Sequence, residues 1–225
     1  NKGYGSNVTF NHDMSVDSLL DFNEGKLISS SGATLLLYDN TIVTGASDST
    51  FVSGPVRKKG NDAFVFPIGK DTVYMPLEMS APSSTNDVFT AEYFKEEQTM
   101  GDSLYSASDT IDYISQCDYW NFVRNTGSSN VTVSLYFKSP SCGILDSANL
   151  HIAWWDGAAW IDKGTGTFTG VHTAGKLATP SALTSYGYLC WAYKVPISGP
   201  WTTIIPGGLV GATPRTMQPD FNGYN

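Results

Sequence analysis

Turn-forming residues interrupt the first quarter of this chain too often for helix. From Asn7 to Val56 short apolar bursts recur: VTF at 8–10, SLLDF at 18–22, KLI at 26–28, TLLLY at 34–38, TIV at 41–43 and FV at 51–52. Asn, Asp, Gly and Ser lie between them, residues that turn a backbone at little cost. Bursts this short and evenly spaced predict two or three coils of a small β-solenoid, although an ordinary meander gives a similar text. The LLL run at 35–37 favours the coils, because a strand wetted on one face alternates and this one does not.

After Gly54-Pro55 the segments lengthen and alternate: AFVFPI, VYMPLEMS, VFTAEYF, DYWNFV, NVTVSLYF, LHIAWW, AAWID and LTSYGYLCWAYKV. This pattern predicts an antiparallel sandwich or jelly roll. Proline at 196, 200, 206, 214 and 219 excludes helix and central strand from the C-terminal stretch, leaving an extended arm. The expected chain is thus all-β: solenoid-like coils over 1–55, a sandwich over 56–195 and the arm over 196–225. The arm either wraps its own sandwich or lies across a neighbouring subunit.

At 225 residues the chain can bury one large core. Charged residues make up 15% of it and the formal net charge is −8, an extracellular profile that opposes binding to nucleic acid or anionic membranes. No run of roughly eighteen apolar residues offers a membrane span. The start at Asn1, with neither initiator Met nor apolar leader, predicts a processed or trimmed product. Of the three cysteines, Cys117 and Cys142 flank one hairpin and are expected to be bridged, stabilising the fold by roughly 3 kcal/mol. Cys190, between Leu189 and Trp191, reads as a buried thiol.

The stretch FVSGPVRKKGNDAFVFPIGKD, 51–71, ends in Gly-Lys but fails as a phosphate loop. Gly60 is too far from Gly69, Asp71 stands where a hydroxyl belongs, and strand rather than helix follows. Gly60-Asn61-Asp62 instead reads as a turn that leaves Lys58 and Lys59 solvated at a strand end. There is no G-x-S-x-G elbow, His12, His151 and His172 lack metal-ligand spacing, and five glutamates offer few carboxylate pairs. The chain reads as non-enzymatic, without cofactor or metal.

HIAWWDGAAWIDKG, 151–164, is the sharpest local signal. Asp156-Gly157 fits a two-residue type I′ turn, pairing Trp155 with Ala158, Trp154 with Ala159 and Ala153 with Trp160. One face then carries Ile152, Trp154, Ala159 and Ile161, and the other His151, Ala153, Trp155, Ala158, Trp160 and Asp162. Trp155 and Trp160 beside His151 and Asp162 either stack a sugar ring or are covered by a second layer or the arm.

The phrases GPVRK, FPIGK, CDYW and WDG, within residues 15–194, resemble a recurrent module of large secreted Bacteroidota proteins exported by the type IX route to the cell surface. That resemblance implies secretion and does not specify activity. It also lends meaning to six Asp-Ser/Thr pairs followed by a small or apolar residue, whose acceptors would be Ser18, Ser49, Thr72, Ser103, Thr110 and Ser147 if O-glycosylated; the same pairs are common turn formers. The expected role is a secreted structural subunit of a cell-surface filament, sheath or adhesive layer. Copies would associate through Trp201, Ile204, Ile205, Leu209, Val210 and Phe221 of the arm. The alternative is a carbohydrate-binding adhesion module, with surface glycans as partners, standing alone or as part of a larger secreted protein.

Overall fold

Strict two-residue alternation sets the layers. In VFTAEYF (β13, Val88–Phe94) and VSLYFK (β16, Val133–Lys138) every second side chain is buried, as a strand with one face on a core requires. The computed structural model describes residues 7–100, 111–138, 149–171 and 173–194. The protein is all-β, and its core lies between two sheets.

The larger sheet runs β18 (Trp160–Asp162), β17 (Leu150–Trp155), β21 (Gly187–Tyr193), β15 (Tyr119–Thr126), β13, β8 (Val56–Lys59), β5 (Leu35–Leu37), β2 (Met14–Val16), with β14 (Tyr113–Ile114) also on β21. The smaller runs β19 (Phe168–Val171), β20 (Ala174–Ala178), β16, β12 (Leu77–Met79), β9 (Phe64–Phe66) and is antiparallel throughout. Aromatic rings join the layers: Phe66 meets Phe122 edge-on at 5.9 Å and Phe137 meets Trp191 at 6.0 Å. The Trp120 indole N–H donates to the Met75 carbonyl at 3.3 Å, so this fully buried ring leaves no orphan donor.

The N-terminal strands form three parallel ladders. β1 (Val8–Phe10) pairs with β4 (Leu27–Ser29) and β4 with β7 (Val52–Ser53); β3 (Leu19–Asp21) pairs with β6 (Ile42–Thr44). Met14, Leu35 and Val56 stand in register across β2, β5 and β8, a repeat of 21 residues. Within these ladders the LLL run buries Leu35 and Leu37 completely. Because β5 pairs with β8, the large sheet crosses the expected boundary between residues 55 and 56 without a break. The described residues belong to one compact unit that closes at Lys194.

Two local expectations need correction. Lys58 is not solvated: its side chain has no exposed surface, and its ammonium donates to the carbonyls of Tyr38 (2.7 Å) and Lys59 (3.2 Å) and to Asp62 Oδ1 (2.6 Å). It also lies 5.2 Å from the centre of the Phe64 ring. A turn rich in polar oxygens folds over the lysine instead of presenting it to water. The hairpin after Trp155 is not a two-residue turn either. Trp155 pairs with Trp160 and Ala153 with Asp162, a shift of two positions, and Asp156 N–H donates to the Ala159 carbonyl at 3.0 Å. The Asp156 carboxylate accepts from the N–H groups of Ala158 and Ala159, both at 2.7 Å, which holds a longer loop. An even shift preserves which residues share a face.

Candidate functional site

The face of β17 and β18 that carries Ala153, Trp155, Trp160 and Asp162 turns away from the sandwich core, yet it is not open. Ala153 and Trp160 are completely buried in a second apolar cluster with Ile111, Ile114, Tyr119, Cys190 and Ala192. Phe94, Met100, Trp155 and Tyr188 pack at its margin. The Trp160 N–H donates to the Met100 carbonyl at 3.0 Å, so the chain around Met100 roofs the indole. Trp155 leans on Trp160 at 5.5 Å with the rings 56° apart. A flat sugar platform needs two exposed, roughly coplanar faces, and this pair offers only the half-buried rim of Trp155.

His151 and Asp162 do meet. His151 Nδ1 lies 3.0 Å from each carboxylate oxygen, a diagonal contact across the β17–β18 ladder, with both side chains largely enclosed. Asp162 Oδ1 also accepts the Gly164 N–H at 2.6 Å, so the pair fixes the chain as it leaves β18. Lys163 sits 4.5 Å over the Trp154 ring on the opposite face. Of the four residues singled out from sequence, the structure joins His151 to Asp162 and Trp155 to Trp160, as packing units. Among the described residues no group of three or more His, Cys, Asp or Glu is placed to hold a metal ion.

Two polar clusters carry chemistry that sequence reading passed over. Asp118 is buried beneath Tyr93 and Ser115, whose hydroxyls donate to it at 3.3 and 3.2 Å. Burial pushes its carboxyl up to about 6, and these two hydrogen bonds offset only part of that. Cys190 lies against the carbonyls of Ser115 (3.4 Å) and Asp118 (3.3 Å), and burial raises its thiol well above the ordinary range. At Asp62 burial opposes ionisation, but the bond from Lys58 and the N–H of Asn40 prevail and hold its carboxyl below the usual value. The signal for Asp118 was its place in CDYW, next to a cysteine and inside an apolar strand entry; a lone Asp there has to find partners.

Cys117 is disulfide-bonded and Cys190 is free and buried; Cys142 lies outside the described residues. Of the acceptor candidates, Ser18, Ser49 and Thr72 are exposed on bends or turns, the accessibility a modifying enzyme requires. Ser49 and Thr72 border one shallow depression with Lys26 and Asp48. Ser103, Thr110 and Ser147 lie outside the described residues, as do His172 and the arm positions Trp201, Ile204, Ile205, Leu209, Val210 and Phe221. Comparison with family models, with curated proteins and with solved structures finds no match to this chain.

Proposed function

We propose that this protein is a secreted, non-enzymatic structural subunit whose copies assemble through residues 196–225 into a cell-surface filament, sheath or adhesive layer. The observation that carries the reading is that the described strands close into a compact unit at Lys194, ahead of the arm. The last strand, β21, is already central in the large sheet, Lys194 N–H closes on the Asn149 carbonyl at 3.1 Å, and the compact unit ends there. Beyond it the sequence supplies Trp201, Ile204, Ile205, Leu209, Val210 and Phe221, apolar side chains whose exposure to water costs free energy that a receiving surface would recover. An extended segment of this length can bury area typical of a stable complex. The disulfide at Cys117 agrees with an oxidising, extracellular setting, the compartment that the resemblance to secreted Bacteroidota modules also implies.

The glycan-binding alternative loses its support with Trp160 buried, because Trp155 alone does not make a platform. Light scattering and electron microscopy of the full chain test the assembly reading. The full chain should form extended polymers and a chain lacking 196–225 should remain monomeric. A monomeric full chain, or unchanged assembly after the deletion, overturns it.

A further inference from the structure

Among the described residues the first coil of the parallel stack ends in an open edge. Within that set β1, β2 and β3 each pair on one side, with β4, β5 and β6. In β1 the outer residues are committed inward: Val8 N–H donates to the Lys26 carbonyl at 2.8 Å and the Phe10 carbonyl accepts from Ser30 N–H at 2.9 Å. Alternate residues of a parallel strand bond to opposite neighbours, so Thr9 turns its main-chain groups to the open side. In β2 Met14 and Val16 bond to the Thr34 and Tyr38 positions, which turns Ser15 outward. In β3 the bonds of Ser18 and Phe22 to Ile42 and Thr44 do the same for Leu19 and Asp21.

Each of these three strands also exposes one large apolar side chain: Val8 (39%), Met14 (37%) and Leu19 (54%). Ile42, in register with Leu19, is 60% exposed and widens the patch. Edge strands are ordinarily blunted by Lys or Pro, and residues 8–22 contain neither.

We infer that the open edge of β1, β2 and β3 is the acceptor for residues 196–225 of a second copy, which adds to it as a further coil. The inference rests on the assembly reading above and gives that assembly its docking surface. Length supports it: one circuit of the stack takes 21 residues at the Met14, Leu35, Val56 register, and residues 195–225 number 31. Proline placement supports it too. WTTII, 201–205, and GGLVGAT, 207–213, are free of proline and long enough to cover edges of three residues. Pro206 falls between them, as Pro55 falls between β7 and β8 in the stack. Ile204, Ile205, Leu209 and Val210 would meet Val8, Met14 and Leu19, while unpaired backbone groups such as those of Thr9 and Ser15 would gain partners. Because the donor segment and the acceptor edge are different parts of the chain, each copy can offer both at once, so the contact can pass from copy to copy.

The test uses the full chain carrying Val8→Lys, Met14→Lys and Leu19→Lys together, followed by light scattering and electron microscopy. All three positions are exposed, so circular dichroism and melting temperature should match the parent. The concentration at which the variant self-associates should rise at least about tenfold, a cost of roughly 1.4 kcal/mol or more. Should the triple variant lose its fold, Leu19→Lys alone, at the most exposed of the three, reads the same quantity. A synthetic peptide of residues 196–225, added in excess to the unaltered chain, should shorten the polymers by occupying free edges. If the folded lysine variant assembles normally while deletion of 196–225 abolishes assembly, the arm docks elsewhere; this inference falls and the assembly reading stands. If the deletion leaves assembly intact, both fall. Loss of assembly in the lysine variant, with assembly retained in the deletion, identifies edge-to-edge pairing between copies and likewise overturns the inference.

Discussion

Lys58 shows how much one buried side chain can organise. Its three oxygen acceptors come from Tyr38, from its own neighbour Lys59 and from Asp62, so it joins the second coil to the turn that leads into β9. Lys58→Ala strands the Asp62 carboxylate and opens a cavity beside Phe64. Since Asp62 retains some exposure, the expected loss is about 2 to 3 kcal/mol, below the range for fully enclosed pairs. Lys58→Met keeps the stem and should lose less; urea unfolding of the two variants distinguishes charge from volume. Asp118 makes a pH prediction of definite sign. Its folded value of about 6 lies above the ordinary 3.8, so between those values the folded protein holds more protons than the unfolded chain. Its contribution is complete below about pH 4 and is lost as pH rises through about 6, on the order of 3 kcal/mol. Glu92, also raised by burial, adds slope of the same sign, so Asp118→Asn should flatten the stability–pH profile without abolishing it. Asp48 and Asp62 are held low, and their contributions disappear only on acidification below about pH 4, a separate window. An unchanged slope between pH 4 and 6 in the Asn variant would assign it elsewhere.

Among the elements, those with one buried face were legible from sequence and those set by a single side chain were not. VFTAEYF and VSLYFK announce their faces because strand periodicity and burial coincide in them. The hairpin at 151–162 kept its predicted faces but not its register. Asp-Gly is the signal for a two-residue turn, and the same Asp156 carboxylate can instead staple Ala158 and Ala159 into a longer one. Nothing local distinguishes the two outcomes. The burial of Lys58 and Trp160 was hidden for another reason: their covers, Tyr38 and Met100, lie 20 and 60 residues away in sequence. In the parallel stack the exacting position is Gly45. It has φ +74, and a Cβ there would stand 2.0 Å from the Phe22 carbonyl oxygen at the end of β3. Gly45→Ala therefore combines the left-handed penalty with a backbone overlap that only movement of β3 relieves, and should cost about 2 kcal/mol or more. Urea unfolding measures it, and hydrogen exchange at β3 and β6 should report the earliest loss of protection.

The whole molecule poses the question of whether the N-terminal coils are a separate domain, as the change in sequence texture at Gly54-Pro55 suggests. The sheet argues for a single cooperative unit. β8 is at once the third strand of the β2–β5–β8 ladder and the antiparallel partner of β13, so loss of the stack strips one side of β8 and loss of the sandwich strips the other. Leu35, Leu37 and Val56 from the stack share one apolar cluster with Phe89, Phe122 and Phe66, which means that separating the parts would expose fully buried surface on both. At roughly 25 cal/mol per Å² of apolar area, exposing even these six side chains costs more than a ladder of three-residue strands could recover by surviving alone. Differential scanning calorimetry should accordingly show one transition whose calorimetric and van't Hoff enthalpies agree, under conditions where the chain is monomeric. Weakening the joint with Val56→Ala, a substitution of a fully buried side chain, should lower that single transition as a whole. If the melt instead resolves into two peaks, with Val56→Ala moving only the lower one, the coils fold independently and the textural break at residue 55 marks a true domain boundary.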